Sequence, residues 1–179
     1  MDITQIILDD HRDQRRLFAM IEQIDPADQA ALGALWRRLR ALLDAHAEGE
    51  ERFFYPAVLK VGRGANDAPS AQEETEDAIK DHNEIRDAAA EVERHVIGGD
   101  AWFDAVGRAN EANGDHMAEE ERQGLTDFRR HAPLQQRHDL GVRFAAFVAE
   151  HLEGVRPVDK DPETYVDTGG DIAAAARKS

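Results

Sequence analysis

His46-Ala-Glu-Gly-Glu50-Glu51-Arg52 and His116-Met-Ala-Glu-Glu120-Glu121-Arg122 are two copies of one pattern, a histidine followed four residues later by two glutamates and an arginine. Each copy is preceded by a second matching segment. Asp10-His11 has Arg15 four residues on, and Asp81-His82 has Arg86 four residues on. His11 and His82 stand 71 residues apart, and His46 and His116 stand 70 apart. A repeat of that length reads as a duplicated helical hairpin rather than as a solenoid.

Helical geometry says which residues of the pattern act together. Residues i and i+4 share a helix face, about 40° apart and roughly 6 Å along the axis. His46 and Glu50 therefore point the same way, as do His116 and Glu120. Glu51 and Glu121 lie about 100° further round and read as solvated face, together with Glu48 and Glu119. Both histidines fall on apolar stripes, Leu39, Leu42, Leu43 and Phe53 in one copy and Val106 and Ala109 in the other. A glutamate on such a stripe is costly to bury unless positive charge meets it.

Outward from these motifs the apolar residues keep a helical period, and no segment alternates with period two. Helices are expected at about 3–24, 27–61, 71–97, 101–130 and 134–153. Asp25-Pro26 marks the first break, since Pro is tolerated at a first helical position. Residues 62–70 and Gly98-Gly99 mark the next two. Residues 154–179 read as a tail, partly extended, with a short helix possible at Asp171–Arg177. The expected fold is all-α: an up-down-up-down four-helix bundle over residues 1–153, with an appended fifth helix.

The turns also fix the levels of the histidines, because residues of antiparallel neighbours meet when the turn lies midway between them. The midpoint of His11 and His46 falls beside the Asp25–Asp28 break, that of His46 and His82 on Gly64, and that of His82 and His116 on Gly99. Four imidazoles and two carboxylates are thus expected in one layer.

The 179 residues contain no cysteine, so sulfur ligation, thiol catalysis and disulfides are excluded. A hard nitrogen and oxygen set suits iron or manganese, and two bridging carboxylates suit a pair of ions. Zinc fits less well, because its closed sites take four ligands. Room would remain for a bridging oxo or hydroxo group and a small exogenous ligand. The formal net charge of −15 argues against nucleic acid as a partner. No apolar run reaches the ~18 residues of a membrane span. The N-terminus lacks the pattern of a secretory signal, so the expected location is cytoplasmic.

One histidine on each of four helices, with H-x-x-x-E-E on the second and fourth, resembles the hemerythrin-like, or HHE cation-binding, domain family over about residues 3–130. The resemblance implies a non-haem di-iron site that handles dioxygen, peroxide or nitric oxide. The ligands it carries over are His11, His46, Glu50, His82, His116 and Glu120, with no catalytic group beyond them. Oxygen-carrying hemerythrins have a fifth histidine one turn after the third-helix one, where this chain has Arg86. That departure favours a more reactive site, with catalase- or peroxidase-like consumption of peroxide or of nitric oxide. A dioxygen or nitric-oxide carrier or sensor, or a plain iron-binding protein, is the alternative. Tyr55 and Tyr165 are candidates for an additional ligand.

The other four-helix di-iron pattern, E-x-x-H, is absent: the residues three before each histidine are Leu8, Leu43, Ile79, Val92, Asn113, Phe128, Gln135 and Val148. His95, His131, His138 and His151 have no repeat partner and read as surface or capping residues. Arg15 and Arg86 are either partners of the carboxylates or surface cations. The fifth helix reads as a lid or an interface.

Overall fold

Asp2 opens the first helix by accepting a hydrogen bond from the Thr4 N–H, at 3.1 Å. In this computed structural model, which describes residues 1–177, the same device recurs. Asp28 caps the second long helix through the Ala31 N–H, and Ser70 caps the fourth through the Glu73 N–H. Such side chains satisfy N–H groups that the first helical turn leaves without a partner.

The helices are α1 (Ile3–Ile21), α2 (Gln29–Gly49), α3 (Tyr55–Val61), α4 (Ala71–Val92), α5 (Asp100–Arg122), α6 (Gly124–His131), α7 (Leu134–Glu150), α8 (Pro162–Asp167) and α9 (Ile172–Ala175). No strand is present among the described residues, and Lys160 and Ala176 form an isolated bridge. The fold is all-α. α1 packs on α2 and α5, and α4 packs on α5 and α2, which closes the ring of a four-helix bundle. α7 lies across α1 and α2. Gly98, at φ +82°, lets the turn after α4 press against the turn before α2; a Cβ there would sit 2.2 Å from the Pro26 carbonyl oxygen.

Several boundaries differ from the periodicity reading. α1 stops at Ile21 and α4 at Val92, each followed by turns rather than further helix. α7 ends at Glu150. The expected helix over 101–130 is broken at Gln123, whose φ −102° and ψ −83° leave the helical region, so α5 and α6 are separate. Between α2 and α3 the chain stays helical but widens into a π turn, Glu50–Phe54. The cause is Pro56, which has no N–H to donate and whose ring crowds the carbonyl four residues back. The Tyr55 N–H bonds to the Glu50 carbonyl instead.

The tail contains two short helices, α8 and α9, and it docks on the bundle. Tyr165, buried on α8, donates its hydroxyl to the Glu51 carbonyl at 2.5 Å, where Pro56 leaves no backbone donor. The Asn83 side chain clamps the backbone of Lys160 through both its carbonyl and its N–H. Asp161 accepts from the Thr164 N–H ahead of Pro162, a capping signal the sequence reading passed over. Residues 178–179 of the expected tail lie outside the described residues.

Two apolar clusters fill the bundle. One is built around Ile3, Ile7, Phe54, Phe128 and Phe144, the other around Leu17, Phe18, Trp36, Leu39 and Trp102. Along α1 the buried residues run Ile3, Thr4, Ile7, His11, Gln14, Leu17, Phe18 and Ile21. A polar layer therefore lies between two apolar ones.

Candidate metal centre

His11 on α1, His46 on α2, His82 on α4 and His116 on α5 meet in that layer, together with Glu50 and Glu120, and all six are buried. One atom from each of His11, His46 and Glu50 lies within a 4.8 Å cluster, and so does one from each of Glu50, His82 and His116. Glu50 joins the two clusters. Its Oε1 is 2.9 Å from His46 Nε2, and its Oε2 is 3.3 Å from His82 Nε2. Glu120 reaches one cluster, with Oε2 3.2 Å from His11 Nε2.

These contacts are short but are not hydrogen bonds. Nε2 of His11 and of His46, both oxygens of Glu50 and Oε2 of Glu120 are buried without a hydrogen-bond partner. They aim at common points rather than at one another. Buried polar atoms are otherwise satisfied as a rule, so the donor set fits a cation.

The far side of each ring explains the orientation. His46 donates Nδ1–H to Asp10 at 3.1 Å, and His116 to Asp81 at 3.4 Å. His82 donates to Glu51 at 2.9 Å, and His11 to Glu121 at 3.0 Å. An ionised carboxylate only accepts, so each ring keeps its proton on Nδ1 and turns the Nε2 lone pair inward, the form a metal ligand needs. His82 Nε2 and His116 Nε2 then face each other 3.1 Å apart, a pair that a shared proton or a cation satisfies.

Without a cation, the same carboxylates draw a proton in its place. Burial opposes charge on His46, yet Glu50 and Asp10 outweigh it and raise its pKa well above the usual imidazole value. Burial likewise opposes charge on His82, and Glu50 and Glu51 again prevail in the upward direction. Glu50 is itself held well below the carboxylate range by His46 and His82, against the cost of its burial. Six carboxylates surround the centre, and the cations beside them are Arg15, Arg86 and Lys160. The remaining negative charge favours a bound cation.

Glu51, Glu121 and Glu48 correct the sequence reading, which placed them in solvent. Glu51 is 0% exposed and is held by His82, by Arg86 Nη2 at 2.6 Å and by Lys160 Nζ at 2.6 Å. Burial pushes its carboxyl up, but these partners overcome that and hold it at about 2. Glu48 is buried beside Lys160 and Arg52. The Glu121 side chain is 32% exposed and bridges His11 and Arg15. In a four-helix ring each helix touches two neighbours, so a residue about 100° off the core line faces the next helix rather than water. Glu119 does lie in solvent.

Arg15 and Arg86 are both partners of carboxylates. Arg86 bonds Glu51 and Asn83. Tyr55 reaches the rim of the centre: its hydroxyl donates to Glu120 Oε1 at 2.6 Å, and burial together with Glu120 and Glu50 raises its pKa well above the usual phenol value. The Tyr165 hydroxyl is committed to the Glu51 backbone. Phe144 from α7 lies edge-on to His46, ring centres 5.9 Å apart. Gly49 makes room for it, since a Cβ there would lie 2.9 Å from Phe144 Cε2. The remaining histidines bond locally, His95 to Glu91, His131 to Asp127, His138 to the Met1 carbonyl and His151 to the Phe147 carbonyl.

The sequence reading missed Asp10, Asp81 and Lys160. The first two carried a signal, an aspartate directly before the first histidine of each hairpin; Lys160 carried none. No helix among the described residues is long and apolar enough to cross a membrane. Comparison with known proteins finds that the model of the Hemerythrin HHE cation binding domain matches residues 2–126. No curated protein and no solved structure matches the chain.

Proposed function

The chain belongs to the hemerythrin HHE cation-binding domain family, and on that premise we propose that it holds a pair of iron ions and consumes hydrogen peroxide or nitric oxide at them. His11, His46, Glu50, His82, His116 and Glu120 would hold the pair. The observation that carries this reading is that the inward Nε2 atoms of His11 and His46, both oxygens of Glu50 and one of Glu120 are buried yet unpaired, with every Nδ1 tied to a carboxylate. When bound, the irons supply one-electron redox chemistry and positions for a small ligand.

The chain's own groups do the rest. The Nδ1 carboxylates hold the imidazoles in one tautomer and raise their basicity. Tyr55 keeps a proton on its hydroxyl and fixes one oxygen of Glu120. Arg86 stands where a fifth histidine would be in an oxygen carrier, and its guanidinium is engaged by Glu51 and Asn83. It adds no ligand, which favours a reactive centre over a storage one. Phe144 and Phe54 keep bulk water away from the layer.

The test is metal analysis followed by turnover. Purified protein is expected to carry iron and to consume peroxide or nitric oxide faster than the His46→Ala protein. Iron without faster consumption would reassign the centre to a carrier or sensor of dioxygen or nitric oxide. Protein that takes up neither iron nor manganese would sink the metal reading.

A further inference from the structure

Glu74 is the one buried acid in the neighbourhood of the centre that the reading above leaves without a task. It lies in the first turn of α4, is 4% exposed, and has both carboxylate oxygens buried without a hydrogen-bond partner. A carboxylate near a helix N-terminus gains from the dipole, but a surface position such as that of Glu73 gives this without desolvation. Nearby Asp127 is satisfied: it accepts from the backbone N–H groups of Arg63 and Gly64 at 2.7 and 2.9 Å, and from His131. Glu74 has no such partners.

Its carboxylate lines a narrow passage between α4, α5 and α6. Tyr55, His116 and Glu120 are at the inner end, and Asp77 and Glu119 are exposed residues of its lining. The free space is about 10 Å³, enough for one water-sized body. A wider pocket of about 170 Å³ adjoins it and shares Asp81, His116 and Glu119. Among the described residues neither lining contains a lysine or an arginine. A cleft lined by one sign of charge concentrates counter-ions and speeds their arrival.

We propose that Glu74 is a transit site for the divalent cation on its way from the acidic mouth between α4 and α5 to the His/Glu centre. The inference rests on the metal reading given above. Asp77 and Glu119 draw the ion to the mouth, the buried carboxyl of Glu74 gives up its proton to water as it replaces part of the ion's water shell, and Glu120 with His116 receive it.

The test uses the full chain, stripped of metal by chelation and mixed rapidly with Co²⁺, whose visible absorption reports arrival among imidazole and carboxylate ligands. Glu74→Gln is expected to reach the wild-type end point, with loading slowed about tenfold or more. The surface pair Asp77→Asn with Glu119→Gln, which leaves the core untouched, is expected to slow loading and to flatten its dependence on salt. Loading of Glu74→Gln at the wild-type rate would overturn the proposal. A lowered end point would overturn it too, since Glu74 would then belong to the centre itself. A wild-type chain that never develops the cobalt band would overturn the metal reading and this inference with it.

Discussion

Glu50 and Glu120 occupy equivalent places in the two hairpins, yet they are presented differently. Glu50 turns both oxygens toward imidazoles, while Glu120 turns one and gives the other to Tyr55. The following residues diverge as well. Glu51 is sealed under Arg86 and Lys160, whereas Glu121 is partly in solvent beside Arg15. Three residues after the second histidine of each hairpin the contrast repeats: Gly49 lies under Phe144, and Glu119 faces water at the acidic mouth. The first copy is covered by α7 and the tail, and the second is left open. A repeated motif thus has one side covered by α7 and the tail and one side that opens on an acidic, solvent-facing lining.

The largest expected effect breaks that comparison at its root. Glu50→Ala removes the carboxylate that serves both clusters, so neither ion should survive dialysis. Glu120→Ala should spare the His82, His116 and Glu50 cluster and leave bound metal; metal content per chain distinguishes the two. Next, Lys160→Met strips a cation from the buried Glu51 and is expected to cost about 3 kcal/mol in denaturant unfolding. Its open-side counterpart, Arg15→Ala, should cost less than about 1 kcal/mol, as partly exposed ion pairs do.

Gly49→Ala should destabilise by about 1–3 kcal/mol through overpacking against Phe144, whereas Glu119→Ala should leave unfolding within about 0.5 kcal/mol of wild type. The last effect is a slope with pH. Burial, then Asp127 and Glu120, push the Glu74 carboxyl up from the usual carboxylate range to about 8. The folded metal-free chain therefore holds this proton more tightly than the unfolded chain does. Its contribution to stability is complete below about 4.5 and is lost as pH rises toward about 8, by at most about 1.4 kcal/mol per pH unit. Glu74→Gln should flatten that limb of the stability profile.

Period and spacing made the all-α bundle legible, because an amphipathic helix shows its buried stripe in its own sequence. The convergence of His11, His46, His82 and His116 was also legible, since turn positions fix the levels of antiparallel helices. What the repeat could not show was its own asymmetry. The π turn depends on one proline, Pro56, acting on a carbonyl four residues back, and it is completed by Tyr165 from the far end of the chain. Glu51 and Glu48 were misplaced because a single-helix wheel has no neighbours, and it is α4 and the tail that bury them. Lys160 lies in a segment with no period at all; its burial is decided by the Asn83 clamp and two acids, all distant in sequence.

The Mössbauer spectrum of the chain reconstituted with ⁵⁷Fe tests the central claim most directly. An asymmetric pair held by one shared and one single-sided glutamate predicts two irons per chain in two distinct quadrupole doublets of equal area. One doublet from two irons would contradict the asymmetry, and a chain that retains one iron or none would contradict the paired centre.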